Sequence, residues 1–214
     1  MTTVDLILRR LATLIFLLLI GTTAFAQSAT ELAAELQAQL QKGAAVRLKF
    51  TVPGDGAYSI LVDTHGRRVR LVSRSATIVT DGATVWNYNQ AQKRLTMDAI
   101  SNSPNSAMKS PDELVRFADS YTAEELASRG STHVIKFVPN AKVKQMLASL
   151  GSVESITLTL LKGKHGLSIK HAEIATANAN TRVTGVSVQS VSKVGAKDFI
   201  FDPPKGAEVI DLRE

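Results

Sequence analysis

The chain has 214 residues, 25 Lys+Arg against 19 Asp+Glu for a formal charge of +6, and no cysteine. Its 44% hydrophobic and 21% charged residues are the composition of a globular protein, which excludes wholesale disorder. The lack of cysteine excludes disulfides, thiolate metal sites and cysteine nucleophiles, and with one Trp, three Tyr and seven Phe the core has to be mostly aliphatic.

Residues 1–26 have the pattern of a secretory signal peptide: Arg9 and Arg10 ahead of an apolar run from Leu11 to Gly21, then Ala24-Phe25-Ala26 as a small-x-small site. Cleavage is expected after Ala26. The alternative is a retained anchor, but the run is shorter than the ~20 apolar residues a spanning helix needs. Removing Asp5, Arg9 and Arg10 takes the net charge from +6 to +5. The expectation is an exported, periplasmic protein with residues 27–214 as a single domain.

Within that domain, Ser28 and Glu31 form a capping box for a helix over 28–42, with Leu32, Leu36 and Leu40 on one stripe and Gly43 as its stop. Val46, Leu48, Phe50 and Val52 alternate with polar residues as a strand, and Pro53-Gly54-Asp55-Gly56 is a turn. Tyr58, Ile60 and Val62 continue the pattern, followed by Val69 and Leu71. Arg67, Arg68, Arg70 and Arg74 flank these two. They are either a solvated strand face or a cationic patch for anionic headgroups or an acidic partner. Residues 76–80 and 84–88 flank the hairpin signal Asp81-Gly82, and Lys93 to Ala99 is a further strand.

Ser101 to Lys109 is polar and loop-like. Ser110-Pro111-Asp112-Glu113 starts a helix carrying Leu114, Phe117, Ala118 and Tyr121. A second short helix is predicted from Thr122 to Arg129, then a strand over 132–138 and a helix over 141–150 with Val143, Met146, Leu147 and Leu150 on one face. Strands follow at 155–160, 167–175 (with mixed alternation) and 182–192, with a short last strand at Phe199–Asp202. Roughly ten strands at hairpin spacing imply an antiparallel sheet, and the helices have to bury their apolar stripes against it. The fold class is therefore α+β: an incomplete antiparallel β-barrel, a large curved sheet with a helical lid on its concave face.

Catalytic signatures are missing. His65, His133, His165 and His171 do not fall at metal-ligand spacing, and no nucleophile elbow, zinc-protease motif or phosphate loop occurs. No enzyme activity, cofactor or metal is expected. A buried pair among His133, His171 and nearby carboxylates would reopen that question. The aliphatic inner faces either pack shut or leave a cavity that accepts acyl chains at little polar cost.

Two segments carry a resemblance. Ile78 to Asn89 is similar to the strand, D-G turn and Trp-x-Tyr strand of the outer-membrane lipoprotein carrier (LolA-like) family. Phe199-Ile200-Phe201-Asp202-Pro203-Pro204-Lys205-Gly206-Ala207-Glu208-Val209 resembles that family's closing segment. The resemblance implies an unclosed barrel with a helical lid. It also implies a periplasmic monomer that takes acylated lipoproteins from an inner-membrane ABC transporter complex to an outer-membrane acceptor, with no bond made or broken and no nucleic acid bound. The family's lid arginine and aromatic-rich strand have no counterpart here, and residues 141–150 look like an added helix.

The candidate cavity residues on the sheet are Phe50, Val52, Ile60, Val62, Val69, Leu71, Trp86, Tyr88, Leu95 and Met97. From the helical cover come Leu114, Phe117, Val143, Met146 and Leu150. The alternative function is a periplasmic lipid-binding or envelope-sensing interaction domain on the same scaffold. It would call for a further domain or anchor, and a chain ending at Glu214 favours the free carrier.

Overall fold

The computed structural model describes residues 28–65, 67–102, 112, 115–147, 153–176 and 180–213, and the side chains of Met146 and Leu147 are not among what it describes. The predicted signal peptide, all of the predicted 101–109 loop beyond residue 102, most of the predicted helix start at 110–113, Leu114 and Leu150 lie outside the described residues.

Helix α1 is Ala29–Leu40. The Glu31 N–H donates to Ser28 Oγ and the Ser28 N–H to Glu31 Oε2, so the capping box satisfies two otherwise unpaired donors. Strands β1 (Ala45–Val52), β2 (Gly56–Asp63), β3 (Val69–Val72), β4 (Ala76–Thr80), β5 (Thr84–Asn89) and β6 (Arg94–Ala99) follow as an antiparallel meander. Between β4 and β5 the Asp81 carboxylate accepts from the Ala83 and Thr84 N–H groups, which fixes the predicted hairpin around Asp81-Gly82-Ala83.

The middle of the chain departs from expectation. Helix α2 is a single turn, Phe117–Ser120. Residues 122–129, expected as a second short helix, and Tyr121, expected at the end of the first, form strand β7 (Tyr121–Arg129), paired with β8 (Thr132–Pro139). The capping-like Thr122 and Glu125 are overridden because β8 presents an open ladder that only an extended segment can pair. Helix α3 is Ala141–Leu147, and β9 (Val153–Gly163), β10 (Gly166–Thr176) and β11 (Asn180–Val191) complete the run. Phe199–Asp202 is not a strand. A 3-10 turn occupies Ala196–Phe199, and β12 (Glu208–Asp211) pairs parallel to β6.

The twelve strands make one unclosed sheet in the order β12-β6-β5-β4-β3-β2-β1-β11-β10-β9-β8-β7. All neighbours are antiparallel except β12 with β6. This is the curved, incomplete barrel with a helical cover. Both faces are covered. Leu32, Ala33, Leu36 and Leu40 of α1 pack with Val46, Val62, Ile135, Phe137, Leu160 and Leu167 on one face. On the other, Phe199, Phe201 and Ala207 of the C-terminal segment pack on Leu61, Val79, Trp86, Tyr88 and Leu95.

Candidate functional site

Strand alternation decides which candidate residues meet. Phe50, Val52, Ile60, Val62 and Val69 lie on the α1 face, as do Phe117 and Val143 from the cover. Leu71 is half-buried and in register with Ile60 and Ile78 of that face. Trp86, Tyr88, Leu95 and Met97 lie on the opposite face, under the C-terminal segment. The sequence reading put all of them around one cavity. The structure divides them, because β5 turns Val85 toward α1 and Trp86 away from it. Met146 lies on α3, with its side chain not described, and Leu114 and Leu150 lie outside the described residues.

The α1 face is incompletely closed. Its centre is dry: Val46, Val62, Ile135, Phe137 and Leu160 have no exposed surface. Around that centre Leu48, Phe50, Val52, Ile60, Ile169, Val186 and Val188 are only half-buried. Apolar side chains left part-covered in a concave layer mark a surface that accepts further apolar matter.

One opening follows from the sheet's own register. The β10–β11 ladder runs from Ala172 opposite Val183 to Ala175 opposite Asn180. Beyond it β10 stays with β9 and β11 stays with β1, so the two strands part. The C-terminal half of α1 lies over the parting and leaves a crevice of 480 Å³, within the range of small-molecule sites. Leu36, Leu40, Leu167, Ile169, Val186 and Val188 line it.

Gln39 holds the helix there. Its Nε2 donates to the Leu167 carbonyl at 2.8 Å and its Oε1 accepts from the Leu167 N–H at 2.9 Å, standing in for the missing strand neighbour. Two further contacts fix α1. Lys162 Nζ lies 2.9 Å from Glu35 Oε2, and Gln37 accepts from the Ala118 N–H while donating to Asp119. Gly166 completes the fit: its φ is +102°, and a Cβ there would run into the Gln39 amide.

Electrostatic detail in the site is modest. Phe50 stacks on Tyr58 at 5.2 Å. The Tyr58 hydroxyl donates to Asp55, and that bond, followed by burial and the Asp55 charge, raises the phenol above its usual value. Two of the four clustered arginines are committed to structure. Arg68 pairs with Asp63 and stacks over Phe199 at 4.8 Å, and Arg70 Nη1 donates to the Ile200 carbonyl. These two pin the C-terminal segment, while Arg67 and Arg74 are exposed.

His133 is buried, with Nδ1 2.9 Å from Glu125 Oε1 and 3.2 Å from Ser128 Oγ. A serine–histidine–carboxylate relay divides those partners between the two ring nitrogens, and here both meet the same one. His171 is exposed on β10. Among the described residues no group of three or more His, Asp or Glu converges for a metal ion.

The sequence reading missed Gln39, Ile169, Val186 and Val188. Alternation could have found the last two. Around Ile169 the pattern is blurred by an irregularity between Ile169 and His171.

No family model matches the chain, and no curated protein matches it. Among solved structures it is similar to an uncharacterized conserved protein from Thermus thermophilus, at 12% identity over 86% of this chain and 98% of that one, with a TM-score of 0.46. LprF from Mycobacterium bovis shares 13% identity over 82% of this chain and 96% of that one, with a TM-score of 0.45. The Pseudomonas aeruginosa MucA/MucB complex shares 11% identity over 81% of this chain and 61% of that one, with a TM-score of 0.32.

Proposed function

We propose that this protein is a periplasmic carrier that shelters the acyl chains of lipoproteins or lipids in the part-covered apolar layer between α1 and the sheet. The observation that carries this reading is the ring of half-buried aliphatic residues opening through the β10–β11 parting. Each buried methylene supplies about 0.8 kcal/mol, so a chain needs no polar recognition to be held. The reaction is transfer between binding sites, with no bond chemistry. The resemblance of the two sequence segments to lipoprotein carriers supports an inner-membrane ABC transporter complex as donor and an outer-membrane acceptor. Native mass spectrometry of the protein from its own envelope, with extraction of what it holds, tests this. Acylated peptide is expected. Phospholipid or fatty acid alone would replace lipoprotein carriage with general lipid binding, and a chain-free protein that takes up no lipid on mixing would sink the reading.

A second reading, an envelope-sensing interaction domain, is favoured by one observation. Val209 on β12 and Leu212 just beyond it are exposed at the β12 edge of the sheet. Capture of a protein partner lost on Val209→Lys, with lipid uptake unchanged, would support it.

A further inference from the structure

The β10–β11 crevice is graded in polarity. Its floor is aliphatic, from Leu36, Leu40, Ile169 and Val188, and its rim carries Lys164 and His165. Both stand at the tip of the β9–β10 hairpin, in the run Lys162-Gly163-Lys164-His165-Gly166. Lys162 is spent on Glu35, and the Gln39 amide is spent on the Leu167 backbone. Among the described residues no carboxylate pairs with Lys164. A cation at the mouth of an apolar slot that its neighbours leave uncompensated complements an amphiphile with an anionic head.

From this geometry we infer that the crevice binds the chain end of an anionic amphiphile, with its carboxylate or phosphate head held at Lys164 and His165. The inference rests on the proposal that the apolar layer takes acyl chains, and adds the headgroup and the place where it sits. The hairpin tip is a good site for such a contact. It is set at the end of the β9–β10 two-strand ladder.

The test is displacement of a neutral fluorescent alkyl ligand from the purified protein by palmitate, hexadecyl phosphate and methyl palmitate. The two anions should bind more tightly than the ester. Lys164→Glu should weaken both anions about tenfold, the worth of one charge-assisted contact, and leave the ester unchanged. Lys164→Arg should retain anion binding. Lys205→Glu, the same charge change at an exposed residue away from the crevice, should leave all three unchanged. Tighter palmitate assigns a carboxylate head, and tighter hexadecyl phosphate a phosphate head. Equal affinity for acid and ester, or equal loss of both in Lys164→Glu, overturns the headgroup inference while leaving chain binding in place. If the alkyl ligand does not bind at all, the chain-binding reading falls with it.

Discussion

Asp63 is a carboxylate with 2% of its surface exposed, and its charge is held by Arg68 and by the His65 N–H at 2.9 Å. Arg68→Met should therefore destabilise the protein by about 2–4 kcal/mol, because it strands a buried charge. Adding Asp63→Asn should recover part of that loss. Urea unfolding of the single and double variants measures it, and simple additivity would contradict the pairing. Gly43 is fixed by approach: a Cβ there would stand 2.5 Å from the Val191 carbonyl oxygen. Gly43→Ala should cost about 1–3 kcal/mol by overpacking, read as a lowered urea midpoint. Phe117 packs against Tyr121 at 5.5 Å and Phe137 at 5.2 Å, so it belongs to a buried aromatic cluster. Phe117→Leu should be tolerated at a cost of about 1 kcal/mol. Phe117→Asp would test folding, and chain binding is better tested at half-buried Val188.

At the scale of elements, α1 is a cover held by polar latches over an apolar stripe. Gln39→Leu removes both hydrogen bonds to Leu167 and should cost about 1–3 kcal/mol, since it leaves a strand's N–H and carbonyl without their partner. Exchange of the Leu167 amide should quicken, and so should uptake of a fluorescent alkyl ligand. Unchanged uptake would mean that α1 does not gate the crevice. The sequence showed α1 down to its capping box, because Ser28, Glu31 and the leucine stripe all act within one helix. It also showed the Asp81-Gly82 hairpin, whose signal is equally local. It misled over 122–129, where Thr122 and Glu125 imitate a cap and the deciding partner, β8, is tertiary. It also could not tell which strand face looked toward α1. Alternation shows that Trp86 and Tyr88 share a side, but both sides of this sheet carry apolar residues and both are covered.

The whole molecule is a sheet between two covers of different kinds, α1 on one side and the C-terminal segment on the other. The chain's one tryptophan, Trp86, lies under the C-terminal segment. Its emission should therefore stay unchanged when a lipid chain enters the α1 face, and a large shift on binding would place the ligand on the wrong side. Residues 196–213 bury Phe199 and Phe201 against Trp86, Tyr88 and Leu95, so a chain ending at Gly195 should expose that patch and aggregate. The order of the strands also bears on time. The β1–β6 meander and the β7–β11 run are each built from neighbours in sequence, and local contacts form early. Within the sheet they meet at the β1–β11 ladder, where Val191 pairs with Ala45 far back in the chain. Until that ladder closes, β1 and β11 are both open edges, the species most prone to pairing with the wrong chain. Late closing of that one ladder would lengthen the interval during which the protein has to be shielded, and slowing it should lower the yield of folded protein before any native contact was lost.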